Sequence, residues 1–226
     1  MISTTSIASY ILSVDKVTYI FSKTIVQSPQ HPWLTLLSIN IFLLVIGSLN
    51  MGSNNINGGV YKNPFKEIRY YAKRMKSSKI KPIFYIFDLS MFHNVLRLKE
   101  EVPFSSPDIF GLIFDIQDGL PFKKRYLEFF IKELPKGALW FLLRHHSRGW
   151  RDFRDALELG GHIRVGFEDS PFLTTGEKAN SNAELVKEIV KAAKAIGRKV
   201  VGPERAREIL GIRTFESLKT THPKNF

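Results

Sequence analysis

From Ile41 onward the chain changes hydrophobic period again and again. Continuous apolar runs cover Ile41–Ile46, Lys81–Phe87, Ile109–Phe114, Leu139–Leu143 and Ile163–Phe167. Runs of this length and richness predict strands covered on both faces, as in a parallel sheet. Between them the apolar positions fall at helical spacing. Phe65, Ile68, Tyr71, Ala72 and Met75 mark a helix from Pro64 to about Met75, and Met91, Val95 and Leu98 mark one that Asp88 starts. Arg125–Leu134 reads as a helix stopped by Pro135, and Asp152–Leu159 as one stopped by Gly160 and Gly161. Ser181 and Glu184 form a capping box ahead of a helix through Leu185, Ile189 and Ala193 that ends at Gly197. A last helix opens with Pro203 in its first turn and ends at Gly211. Residues 50–59, rich in Asn and Gly, predict a loop. Five strands, each followed by a helix, predict parallel βα units over residues 41–212.

The start of the chain does not join this alternation. Residues 1–40 read as a divergent segment and 213–226 as a tail. The apolar run Leu34–Ile46 is broken by Thr35, Ser38 and Asn40 and falls short of the roughly 20 residues of a spanning helix. A buried strand is the reading it supports, not a membrane anchor, and no signal peptide is visible, so the expected location is cytoplasmic. At 226 residues, 44% hydrophobic and 24% charged, the chain has material for one sizeable core, which excludes a disordered tail or a fibrous repeat. The absence of cysteine excludes thiolate metal sites, thiol nucleophiles and disulfides.

A net charge of +12 invites a polyanionic partner, and eight basic residues against one acid between Lys62 and Lys81 concentrate it. Helical spacing accounts for most of that stretch, so a solvated helix face explains it and a nucleic-acid partner is not expected. In parallel βα folds ligands sit where strands end. The groups in those places are Gly47 and Ser48, Asp88, Asp115, Arg144 with His145 and His146, and Glu168 with Asp169. Arg164, Gly166 and Glu168 would alternate to one side of the last strand. An Arg, a Glu and an Asp gathered there suit carboxylate binding, metal ligation or proton abstraction, and equally a structural ion pair.

The stretch from Gly160 to Asp169 (GGHIRVGFED) resembles the signature of the β-keto acid cleavage enzymes, which include the 3-keto-5-aminohexanoate cleavage enzyme. The likeness continues through Ser181–Val186, Ile196–Arg198 and Pro203–Gly211. Upstream it takes in Lys81-Pro82, Phe87-Asp88-Leu89, Met91, Asn94–Leu98, Trp140 and Gly47–Asn50. It implies an α/β chain of the (β/α)8 TIM-barrel type, with only the last five βα units present and the N-terminus truncated or divergent. The reaction implied is that of a transferase or lyase: β-keto acid plus acetyl-CoA gives acetoacetate plus a new acyl-CoA. Partners would be a small β-keto acid and a CoA thioester, in a homo-oligomer. The resemblance assigns Arg164 and Asp169 to catalysis, Arg164, Ser48 and Asn50 to substrate binding, and Glu168 to a zinc ion.

The chain departs from that pattern in ways that bear on activity. The family's zinc is completed by a His-x-His pair, and none of the six histidines here is so spaced. His145 and His146 follow a strand at the correct end and are the candidates to replace it. Leu43 and Val45 stand where a Thr-x-Asn is usual, and Tyr85 stands where an acid is usual. The expectation is a chain that is catalytically weak alone. The alternatives are a non-catalytic relative acting as an interaction module and, on charge alone, a basic nucleic-acid-binding protein.

Overall fold

The computed structural model describes residues 45–56, 58–145 and 150–212, together with the backbone of two short strands, β1 (Ala8–Ser9) and β2 (Ser22–Lys23), which pair antiparallel. The main sheet holds β3 (Ile46–Asn50), β6 (Lys81–Ile86), β7 (Ile109–Phe114), β8 (Leu139–Arg144) and β9 (His162–Ile163). All four pairings are parallel, and the spatial order β3-β6-β7-β8-β9 follows the chain without a reversal. A doubly wound sheet reverses its order at a switch point, and a barrel does not. This sheet is built as an arc of a barrel.

The helices that follow the strands are α1 (Phe65–Ser77), α2 (Ser90–Glu101), α3 (Lys124–Lys132), α4 (Arg151–Glu158), α5 (Asn182–Ala195) and α6 (Pro203–Leu210). Among the described residues, none is long and apolar enough to cross a membrane. The first strand and the last are not where the apolar runs put them. Residues 41–44 lie outside the described residues, and β3 runs from Ile46 through Asn50, so Gly47, Ser48 and Asn50 are strand residues and do not follow one. The ladder continues beyond it with the Met51 amide donating to the Tyr85 carbonyl. It escaped the apolar-run criterion because Gly47, Ser48 and Asn50 leave only Ile46 and Leu49 as large apolar residues.

At the other edge β9 is cut to two residues. The Arg164 amide still bonds the Leu142 carbonyl, but those of Asp169 and Ser170 both turn back to the Gly166 carbonyl. Glu168 therefore sits in a turn, not on a strand. The loop expected at 50–59 contains a hairpin, β4 (Asn54–Ile56) against β5 (Gly59–Tyr61), that turns through Gly58 at φ +75°. Ser181 caps α5 as expected, accepting from the Glu184 amide, but the Glu184 carboxylate reaches the Asn180 amide, one residue before the cap.

The two faces of the sheet carry different residues. Phe84, Phe110 and Phe114 face the helices: Phe110 meets Phe92 of α2 at a centroid distance of 6.1 Å, Phe114 meets Phe130 of α3 at 5.4 Å, and Phe84 packs on Phe110 at 5.6 Å. The opposite face carries a continuous register row, Asn50, Tyr85, Gly111, Phe141 and His162, one residue from each strand. In α1 the apolar stripe Ile68, Tyr71, Ala72 and Met75 is buried, so most of the basic residues lie on its solvated side. Two of them have other work: Arg69 pairs with Glu101 at 2.7 Å, and buried Lys81 donates to the Ser105 carbonyl.

Phe110 is the ring through which β7 meets both Phe84 and Phe92. Phe110→Ala is expected to destabilise the protein by about 3–5 kcal/mol, since buried Phe truncations leave a cavity as well as losing transfer energy. Urea unfolding measures it, and a loss below about 1 kcal/mol would show that this layer is not what joins helices to sheet.

Candidate active site

Beyond β9 the turn at Gly166 brings Glu168 and Asp169 back onto Arg164. Arg164 Nη2 donates to Glu168 Oε2 at 2.7 Å and to Asp169 Oδ1 at 3.3 Å, and its Nε stands 3.1 Å from Asp169 Oδ2. On the other side of the guanidinium, Nη1 donates to the Tyr85 hydroxyl at 2.6 Å. The Arg164 side chain is only 12% exposed and that of Asp169 only 3%. Glu168 is a third exposed. Burial of a guanidinium requires such a set of acceptors, because an unpaired charge in the interior is costly by several kcal/mol.

One cation faces two acids, so a single ionised carboxylate neutralises it and the second has little reason to ionise. Asp169, the more buried, is pushed up to about 7, mainly by its burial and further by Glu168, against the pull of Arg164. Burial also raises Glu168, with Arg164 opposing. The Tyr85 phenol is pushed up by burial against the Arg164 cation and stays a neutral hydroxyl. An acid poised near neutrality within a hydrogen-bonded cluster at the end of a sheet is a site with the means to move a proton.

The sequence-derived candidates divide in two. Arg164, Glu168 and Asp169 converge. Asn50 lies in the row beside Tyr85, and its side chain is hydrogen-bonded to Tyr61; Ser48 is buried two residues earlier, paired with Ile83. Tyr85 stands where an acid is usual, but the position keeps a polar role: its hydroxyl is one of the acceptors that hold Arg164. The signal available in the sequence was its place on the same strand face as the candidate groups.

The other strand-end groups are structural. Asp88 precedes α2 by two residues and ties its first residue, accepting from the Ser90 amide at 2.8 Å and its hydroxyl at 2.6 Å. Asp115 takes φ +61°, accepts from the Phe122 amide, and binds Arg144 Nε at 2.5 Å. Arg144 also pairs with Asp152 and lies over the Phe122 ring, 4.6 Å from its centroid.

The zinc implied by the resemblance is not matched by the donors present. Among the described residues no three His, Asp or Glu side chains gather in a way that could hold a metal ion. Glu168 faces the Arg164 cation, His145 Nε2 stands 3.9 Å from Asp169 Oδ1, and His146 lies outside the described residues. Space is also unevenly placed. The cavity between Arg164, Asp169, Trp150 and Leu185 measures about 10 Å³, room for one water. A larger cavity of about 460 Å³ opens at the ends of β6 and β7, between Phe87, Asp88, Asp118 and the hairpin.

The sequence profile described as beta-keto acid cleavage enzyme matches residues 17–212. A 3-keto-5-aminohexanoate cleavage enzyme of Acetoanaerobium sticklandii is 33% identical over 168 residues, 74% of this chain and 62% of that protein. A 3-oxoadipate:acetyl-CoA acetyltransferase of Cupriavidus necator is 30% identical over 174 residues, 76% of this chain and 61% of that protein. The chain thus spans about six-tenths of the length of the curated relatives it matches. The solved apo structure of ObcA superposes with a TM-score of 0.61 at 16% identity, covering 74% of this chain and 44% of that one. The fold is therefore α/β of the barrel type, with five of its βα units among the described residues.

The Asp169 carboxyl has a consequence for stability. It ionises near 3.8 when unfolded and near 7 when folded, so the folded state holds a proton that the unfolded state has lost between those values. Its contribution is full below pH 3.8 and disappears as pH rises through 7, so in this window it makes stability fall with rising pH. Asp169→Asn is expected to remove that fall. Urea midpoints of both proteins at pH 4.5 and 7.5 measure it, and an identical pH dependence in the two would refute the assignment.

Proposed function

The chain belongs to the β-keto acid cleavage enzyme family, and on that premise we propose that its Arg164 cluster is the carboxylate-binding and proton-transfer part of such a site. The observation that carries this reading is the buried guanidinium clamped beside an acid that titrates near neutrality. Arg164 pairs with the carboxylate of the β-keto acid, replacing part of its present contact with Glu168 and Asp169. Asp169, once ionised, takes a proton from the carbon between the keto and carboxylate groups. That carbon attacks the carbonyl of acetyl-CoA and releases the CoA thiolate. The thiolate adds to the original keto carbon, the carbon–carbon bond breaks, and a new acyl-CoA leaves. The remaining carbanion recovers the proton from Asp169 as acetoacetate. Ser48 and Asn50 would line the substrate from β3.

The donors among the described residues do not form a zinc site, so of these residues Arg164 and neighbouring hydrogen bonds would stabilise the developing enolate. Losing one preorganised charge-stabilising group costs on the order of 3–4 kcal/mol, or about 10²–10³ in rate. The chain alone is therefore proposed to be a weak catalyst. One observation favours a second reading, a non-catalytic relative that serves as an interaction module: the cavity that Asp169 lines with Trp150 and Leu185 measures only about 10 Å³.

The test is acetyl-CoA-dependent formation of acetoacetate from a panel of β-keto acids with added zinc. The expected result is turnover far below about 1 s⁻¹, lost in Arg164→Ala. Turnover above that value would overturn the weak-catalyst reading and show that the missing ligands come from elsewhere. No turnover and no binding of any β-keto acid would favour the interaction module.

A further inference from the structure

The Tyr85 ring owes its position to what is missing beside it. Tyr85 is on β6 and Arg164 lies just past β9, three strand spacings away, or roughly 14 Å along the sheet. Their side chains meet by leaning toward each other over the inward face, and the strand next to Tyr85 carries Gly111 in the same register row. A Cβ at Gly111 would lie 2.8 Å from Tyr85 Cδ1, 3.0 Å from Tyr85 Cε1 and 2.9 Å from Phe141 Cζ. Real Cβ atoms do not approach so closely, and Gly111 sits mid-strand in β7, so a side chain there obliges the Tyr85 or Phe141 ring to move. Gly111 is costly there, since glycine in a strand interior adds entropy and packs nothing.

The hydroxyl that this vacancy positions has a specific partner. The guanidinium has five N–H donors. Two Nη2 bonds and the Nε ion pair lie on the side of the two carboxylates, and one Nη1 bond goes to Tyr85. The acids fix one edge of the planar group and the phenol fixes the opposite end, so its orientation is settled by both. No acceptor among the described residues takes the second Nη1 hydrogen, which can meet a ligand. Because Tyr85 is neutral, it anchors Nη1 without adding a third negative charge against an incoming carboxylate.

We propose that Tyr85 is a positioning residue for Arg164, seated by Gly111, and that the two act as one unit in presenting Nη1 to the carboxylate of a β-keto acid. The carboxylate ligand rests on the function proposed above; the clamp does not.

The experiment uses the full chain with acetoacetate as probe. The first readout is the Arg164 guanidinium N–H resonances at neutral pH, which a clamped group protects from solvent exchange. The second is acetoacetate affinity by NMR titration, for wild type, Tyr85→Phe, Gly111→Ala and the double variant, with thermal melts alongside. The expected result is that each single variant loses the protected Arg164 signals and weakens acetoacetate binding by about tenfold, the loss of one charge-assisted hydrogen bond. The double variant should be no worse than the worse single one, because both changes remove the same anchor. Unchanged Arg164 signals in Tyr85→Phe, or losses of affinity that add in the double variant, would overturn the proposal. Wild type with protected Arg164 signals and no affinity for acetoacetate would instead overturn the β-keto acid reading while leaving the clamp intact. Equal weakening in all variants that merely tracks their melting temperatures would mark both residues as structural, against the proposal.

Discussion

A guanidinium that is nine-tenths hidden from water must be met by acceptors, and much of what is distinctive in this chain follows from meeting those of Arg164. Two acceptors come from four and five residues along the chain, because the turn at Gly166 folds Glu168 and Asp169 back. The third comes from 79 residues away, across four of the five strands of the arc. The first kind of contact needs only a tight turn. The second needs four strands in one fixed parallel register, because a one-residue slip of β6 would carry Tyr85 to the helix side among the phenylalanines. The ion cluster and the sheet register therefore specify each other.

The same logic divides the strand-end groups. Arg144 is also partly buried and also has two acids, Asp115 and Asp152, and a ring covers it. It ties the segment after β7 to α4, and the left-handed Asp115 is the corner of that tie. Two Arg–acid–acid clusters thus stand near each other at one end of the sheet. They differ in the ring that covers Arg144 and in the uncharged hydroxyl that Arg164 meets.

What the sequence revealed, and what it hid, has a common cause. The three central strands were legible because their residues face apolar layers on both sides, which writes an unbroken run. The two outer strands of the arc were misplaced because each carries polar residues toward the working face: Ser48 and Asn50 on β3, and Arg164 beyond β9. Arg164, Glu168 and Asp169 stood out as charged residues grouped at a strand end. Tyr85 did not, since a tyrosine inside KPIFYIF reads as one more large core residue. Its hydroxyl matters only through a partner 79 positions on, and no local pattern records that.

The glycine in β7 also ties together positions that lie far apart in the chain. A Cβ at 111 would stand 2.8 Å from the Tyr85 ring and 2.9 Å from the Phe141 ring, so a side chain there obliges one of those rings to move. What position 111 can accept is therefore decided by the size of the residues at 85 and 141, on the two strands beside it.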